Sequence, residues 1–236
     1  MTNPTHPIVL VTGAQGSLGK FVIRKLLHQG YQVIATHHLT KPTPAAPLEK
    51  SPTATLTWVQ MDVTSPQSVK AAIQGLPPQL SKIDHLIHCA GGFRYAMGDS
   101  VRDDDIEFLL DVNLKSSFYL IRELLPKMKK NAFGRIVLVS SKATLNPGAG
   151  MGIYGASKAA LNALVSSVAD EVRSFDININ AVLPSVIDTP VNRKEMPKAD
   201  YTTWVTPDAL ADIMVSLIEP WGKPIHGALI PVAGRV

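Results

Sequence analysis

Tyr154 and Lys158 stand four positions apart in Ile153-Tyr154-Gly155-Ala156-Ser157-Lys158-Ala159-Ala160-Leu161. The segment reads as the start of a helix, where positions i and i+4 share one face, one turn apart. An ammonium held beside a phenol stabilises the phenolate and makes the phenol a better proton donor near neutral pH. Taken alone, the pair is also what an ordinary surface tyrosine above a solvated lysine would look like. Its weight comes from what stands upstream.

Upstream, the apolar run Ile8–Val11 leads into Thr12-Gly13-Ala14-Gln15-Gly16-Ser17-Leu18-Gly19 and then into a segment of helical period. Strand, glycine-rich turn and helix form the context that gives a glycine motif meaning. Glycines let the backbone approach a ligand closely, and the free N–H groups at the helix start suit a pyrophosphate. A tight turn with no ligand is the plainer alternative.

These groups need elements to hold them. Short apolar runs recur at Ile8–Val11, Val33–Ala35, Leu56–Val59, Leu86–Ala90, Ile136–Val139, Ile179–Leu183 and Ala228–Val232. Such runs fit strands buried on both faces. Between them lie helical patterns at Ser17–His28, Pro66–Gln74, Asp103–Met128, Ile153–Arg173 and Pro207–Leu217. The alternation predicts an α/β fold: one doubly wound, Rossmann-type parallel sheet of about seven strands, helices on both faces, a single domain over residues 1–236. Leu39–Thr55 and residues 188–206 are rich in proline and polar residues and are expected as loops, the second covering substrate. Asp103, Asp104 and Asp105 open one helix, and Lys127, Lys129 and Lys130 close it, as its dipole favours.

The 236 residues are 45% hydrophobic and 18% charged, enough for one sizeable core. The net charge of +4 is spread along the chain, with no basic stripe for nucleic acid. One cysteine, Cys89, excludes an intrachain disulfide and a cysteine metal cluster, so no metal is expected. The N-terminal Met1-Thr2-Asn3-Pro4-Thr5-His6-Pro7 lacks a secretory pattern, and no apolar run approaches the roughly 18 residues of a membrane span. A cytoplasmic protein without membrane partners is expected.

With these residues in view, the chain resembles the short-chain dehydrogenase/reductase family over nearly its whole length. The family's TGxxxGxG becomes a TGxxGxxG spacing through Gly13, Gly16 and Gly19, with Ser17 at the usual middle glycine. Asp62, followed by Val63, matches the acid that contacts adenine. Ala90-Gly91 matches the end of the NNAG motif, with His88 and Cys89 in place of its asparagines. Asn113, Ser141, Tyr154 and Lys158 match the catalytic tetrad. Pro184-Ser185-Val186-Ile187, then Thr189, resembles the segment that holds the nicotinamide. The C-terminal third, from Asp188 to Tyr201, is similar to quinonoid dihydropteridine reductases, although Ser141 departs from them.

The resemblance implies hydride transfer between a nicotinamide and a carbonyl or imine-like carbon. It makes Tyr154 the proton donor and Lys158 its modulator and a ribose ligand. Ser141 would steady the oxygen, with Ser140 the rival hydroxyl, and Asn113 would hold a water linking Lys158 to solvent. The dinucleotide would lie on Gly13, Gln15, Gly16, Ser17, Leu18 and Gly19. Strand 2 ends in Thr36-His37-His38, with Lys41 following and no carboxylate, which favours NADP(H) over NAD(H). Met196, Tyr201 and Trp204 are candidates for a substrate wall, and Asn192-Arg193-Lys194 for an anion contact. The substrate is a small carbonyl compound, a ketoacyl thioester being one candidate, or a pterin. A nucleotide sensor without catalysis is a third reading, disfavoured by the complete tetrad. The family pairing of helices Leu114–Met128 and Ile153–Arg173 implies a homodimer or homotetramer.

Overall fold

A computed structural model describes residues 7–38 and 51–236. Lys41, most of the Leu39–Thr55 segment and residues 1–6 lie outside the described residues. Seven strands form one sheet: β1 (Ile8–Thr12), β2 (Gln32–His37), β3 (Thr55–Gln60), β4 (His85–His88), β5 (Phe133–Val139), β6 (Asp176–Pro184) and β7 (Leu229–Val232). Their order is β3-β2-β1-β4-β5-β6-β7, and every neighbouring pair is parallel. Helices α1 (Gly19–His28), α2 (Pro66–Gln74), α3 (Asp103–Leu110), α4 (Ser116–Asn131), α5 (Gly152–Glu171), α6 (Pro190–Glu195) and α7 (Pro207–Ser216) connect or flank them.

Strand side chains alternate between two cores, as the period of two requires. Leu10, Ile34, Leu86, Ile136, Leu138 and Ile179 face a core shared with α2, α4 and α5. Val9, Val11, Val33, Ile87, Val137 and Val182 face the other, shared with α1 and α7. Burial on both faces explains why the central strands read as unbroken apolar runs. The strand order reverses between β1 and β4, which opens a crevice at their C-terminal ends.

Two expectations are corrected. The Asp103–Met128 pattern is not one α-helix: a π-helical turn, Asp111–Lys115, separates α3 from α4. The Ser116 hydroxyl donates to the Val112 carbonyl at 2.7 Å, engaging a backbone acceptor where the ladder changes register. Residues 188–206 are also more ordered than a plain loop. Thr189 caps α6, accepting from the Asn192 N–H at 3.1 Å, and Pro190 takes the first helical position. A parallel bridge joins Ile187 to Val205, and Tyr201–Thr203 forms a 3₁₀ turn.

Candidate active site

The cradle is built by close backbone approach. Gly13 has φ of +62°, and a Cβ there would lie 2.5 Å from the Ala90 nitrogen. A Cβ on Gly19 would lie 2.2 Å from the Gly13 carbonyl oxygen. The Gly16 N–H donates to Gly13 O at 2.9 Å, folding the turn so that Gln15 and Gly16 are exposed while Leu18 and Gly19 are buried. Helix α1 begins at Gly19, two residues later than the pattern suggested, because Ser17 still belongs to the turn. A Gly13→Ala variant should lose at least about 2 kcal/mol from left-handed strain and the clash with the Cys89–Ala90 backbone just after β4. Urea unfolding midpoints, with dinucleotide binding read by fluorescence, check this.

The same crevice holds a polar chain from β1 to α4. The Ser116 hydroxyl is committed as donor to Val112 O, so it accepts from His88 Nε2 at 3.0 Å. His88 Nδ1 then accepts from the Thr12 hydroxyl. Burial, with the Lys158 charge adding, pushes His88 down to about 3, so the ring is neutral and bridges the two sides.

Above it the tetrad positions meet. The π-helical turn carries Asn113 inward, where Oδ1 accepts from Gly92 N–H at 2.9 Å. Its amide nitrogen donates to Gly92 O at 3.0 Å and Ser157 Oγ at 3.1 Å. Ser157 in turn donates to Tyr154 O at 2.8 Å. Both amide hydrogens are thus engaged, so the side chain offers a water only the remaining Oδ1 lone pair. Lys158 is buried on α5 and donates to the Val139 carbonyl, at the end of β5, at 2.7 Å. A Cβ on Gly91 would lie 3.2 Å from Asn113 Oδ1 and 3.3 Å from Lys158 Nζ, so both groups converge on that backbone.

Ser141 stands beside Tyr154, and its Oγ accepts from the Ala143 N–H at 3.1 Å. Ser140 is turned away, toward the Lys158 carbonyl at 3.4 Å. Burial raises the Tyr154 phenol above its ordinary value, and the Ser141 hydroxyl works against that rise. The expected lowering by Lys158 is absent from these causes. Burial pushes Lys158 itself down to about 7, which weakens it as a source of charge. Cys89 packs beside the second core, and burial drives its thiol up to about 12, as suits a packing residue.

On the adenosine side, Asp62 Oδ1 accepts from the Thr64 N–H and hydroxyl at 2.9 and 2.7 Å. Asp62 Oδ2 lies 3.5 Å from His38 Nε2. These two residues, Gln60 and Ser68 line a cavity of about 300 Å³, while Val63 packs against the first core. His37 Nδ1 is buried at the end of β2 with no hydrogen-bond partner among the described residues. A glycine cradle that a Cβ would fill and an unpaired ring nitrogen at the ribose end together fit a dinucleotide. Beyond β6, Val186 O accepts from Val205 N–H at 3.0 Å and Asp188 N–H donates to Val205 O at 2.8 Å. These bonds set the segment from Pro184 to Thr189 against the far end of residues 188–206.

Two candidates for the substrate wall are otherwise occupied. Trp204 is buried, and Tyr201 packs against it at 4.8 Å with the Arg193 guanidinium over its ring. Arg193 is paired with Asp188, which removes it as a free anion contact. Met196 remains exposed. Sequence reasoning missed Phe93, whose ring meets Tyr154 edge-to-face at 4.9 Å. It also missed Ser157, a polar residue on the buried side of α5, and the His88 bridge. A serine placed between the tyrosine and the lysine of the motif was the available signal for Ser157.

Cradle, crevice and the convergence of Asn113 and Lys158 on Gly91 fit a class: a dinucleotide-dependent oxidoreductase on a doubly wound sheet. The chain belongs to the short chain dehydrogenase family, whose profile matches residues 7–200. It is 30% identical over 186 residues to the 3-oxoacyl-[acyl-carrier-protein] reductase FabG of Salmonella typhimurium, covering 79% of this chain and 75% of that protein. A short-chain type dehydrogenase/reductase from Mycobacterium ulcerans superposes with a TM-score of 0.86 at 20% identity, over 97% of this chain and 89% of that one. ElxO, described with NADP bound, superposes with a TM-score of 0.85 at 22% identity, over 97% and 98% of the two chains. The chain is an enzyme of NAD(P)-dependent hydride transfer. Among the described residues, no helix is long and apolar enough to cross a membrane.

Proposed function

We propose that the protein reduces a small ketone with NADPH, 3-oxoacyl thioesters being the first substrates to try. The observation that carries this reading is the placing of Ser141 beside Tyr154, with Lys158 and Asn113 converging on Gly91. The bound nicotinamide supplies the hydride. Tyr154 gives its proton to the carbonyl oxygen as that oxygen gains charge, and Ser141 orients the oxygen by hydrogen bond. Phe93 holds the phenol ring from one side. Gly13, Gln15, Gly16, Ser17, Leu18 and Gly19 take the pyrophosphate. Asp62 and Val63 border the adenine, and Ala90, Gly91, Pro184, Val186, Ile187 and Thr189 border the nicotinamide half. His37 and His38, in place of an acid at the end of β2, leave room for a 2′-phosphate without repulsion. The named relative FabG acts on 3-oxoacyl groups and the ElxO structure holds NADP, which supports both choices.

Residues 188–206 form the substrate cover of a single domain spanning residues 1–236. The exposed faces of α4 and α5, with Phe118 on the first, suit pairing with a second copy as a homodimer or homotetramer. A lone, packed cysteine suits a cytoplasmic setting.

The test measures NADPH and NADH oxidation with acetoacetyl-CoA, a panel of small ketones and quinonoid dihydropterin. Turnover of a ketone is expected, with kcat/KM for NADPH about tenfold or more above NADH, a difference of about 1.4 kcal/mol. A preference for NADH overturns the cofactor choice. Turnover confined to the dihydropterin overturns the substrate class. Tight cofactor binding with no turnover of any substrate would point to a nucleotide sensor.

A further inference from the structure

The segment after β7 turns back across the mouth of the site. At the end of β6, the Ser185 N–H donates to Val232 O at 3.0 Å and its hydroxyl to Ala233 O at 2.6 Å. Gly234 has φ of +62°, and a Cβ there would lie 2.5 Å from the Thr203 carbonyl oxygen. The Arg235 N–H donates to that same oxygen at 2.9 Å. The Lys142 ammonium donates to the Val236 carbonyl. Four consecutive residues therefore touch the end of β6, the 3₁₀ turn near the end of residues 188–206, and the residue next to Ser141.

We propose that Ala233–Val236 is an internal strap, fastened by Lys142, that holds residues 188–206 in place over the Ser141 hydroxyl. Lys142 is then a positioning residue. Its side chain is half-buried, forms no ion pair with an aspartate or glutamate among the described residues, and is directed onto the Val236 main-chain oxygen. The local fold gives that contact leverage. Ser141 caps the short turn Lys142–Thr144 through Ala143 N–H, and Thr144 Oγ1 donates back to Ser141 O at 2.8 Å, so Lys142 and Ser141 are held as one unit. At the other end, Thr203 directly precedes Trp204, which is buried, and Val205, which bridges to Ile187. Restraint on Thr203 is thereby passed to the base of the cover. Gly234 is the one residue type that permits the fold-back: any side chain meets both the left-handed backbone and the Thr203 oxygen.

The kinetic arm of the test rests on the ketone-reductase reading; the exchange arm does not. Four full-length variants are compared with the parent: Lys142→Met, Lys142→Arg, Gly234→Val, and the first and third combined. Amide exchange over residues 188–206, read by mass spectrometry without cofactor, should speed up about tenfold in Lys142→Met and in Gly234→Val through easier local opening. With acetoacetyl-CoA, KM should rise about fivefold to tenfold with kcat within about twofold, because the cover is weakened and the proton donor is untouched. Lys142→Arg, which keeps a donor at the same place, should behave as the parent. The combined variant should be no worse than Gly234→Val alone, since both changes break one strap. Parent-like exchange in Lys142→Met overturns the proposal, as do additive effects in the combined variant or a fall in kcat at constant KM. If no ketone is turned over, the proposed function fails while exchange still decides the strap.

Discussion

Tyr154→Phe should lower kcat with a ketone by about 10²–10⁴-fold, the usual worth of a positioned proton donor. Folding should be nearly unaffected. The change removes one hydroxyl and its interaction with Ser141, at a cost of at most about 1 kcal/mol. The ring stays, and with it the edge-to-face contact with Phe93 at 4.9 Å. NADPH affinity should also stay within about threefold, because the pyrophosphate is held by the cradle at the other end of the crevice. Steady-state kinetics, a thermal melt and a fluorescence titration together check the three statements. A phenol raised by burial is fully protonated at neutral pH, and this favours the reductive direction, in which it must give a proton away. Ser141→Ala should cost less, since Tyr154 retains its acid and only the orientation of the oxygen is loosened. Near-parental turnover in Tyr154→Phe would remove the acid from the mechanism and leave the Ser141 hydroxyl as the group to examine.

The parts legible in the sequence are those set by local pattern. Apolar runs such as Ile8–Val11 and Ile179–Leu183 announce strands buried on both faces, and Pro66 at the first turn of α2 marks its start, with Ser65 as cap. The cradle was visible because glycines at fixed offsets between strand and helix have few other uses. What could not be read depends on contacts distant in sequence. The π-helical turn arises where Ser116 engages Val112 O while accepting from His88, 28 residues away. Asn113 was recognised by motif, but its engagement with Gly92 and Ser157 needed the segment after β4, the π-helical turn and α5 brought together. His88 looked like a departure from an asparagine pattern; in the crevice it is a neutral bridge between Thr12 and Ser116. Arg193 looked like a free cation until Asp188, five residues earlier, was seen folded against it.

Lys158→Met should abolish turnover and yet make the cofactor-free protein more stable at neutral pH. The two effects share one cause. Lys158 is buried in the second turn of α5, against the end of β5, where burial lowers it and, among the described residues, no carboxylate is paired with it. Its folded value of about 7 lies below the ordinary 10.5, so between these values the unfolded chain binds more protons than the folded one. Stability from this group therefore rises with pH across that window and is lowest below about 7, where the buried ammonium carries its full cost. At about 1.4 kcal/mol per pH unit, the gap sets an upper bound of about 5 kcal/mol on the gain from removing the charge. The Val139 carbonyl loses its donor in the variant, which returns about 1–3 kcal/mol. A net gain of about 2 kcal/mol at pH 6 is expected, shrinking as pH rises and reversing by about pH 10 as the parent sheds its proton and keeps the Val139 bond. Urea unfolding of both proteins at pH 6, 8 and 9.5 checks the slope, and NADPH oxidation checks the loss of turnover. A stability difference that stays constant with pH would mean that Lys158 is charged throughout, held by solvent or by a partner that the buried geometry does not supply. The exclusion of water that lowers the Lys158 ammonium toward 7 is also what makes its charge costly to fold around.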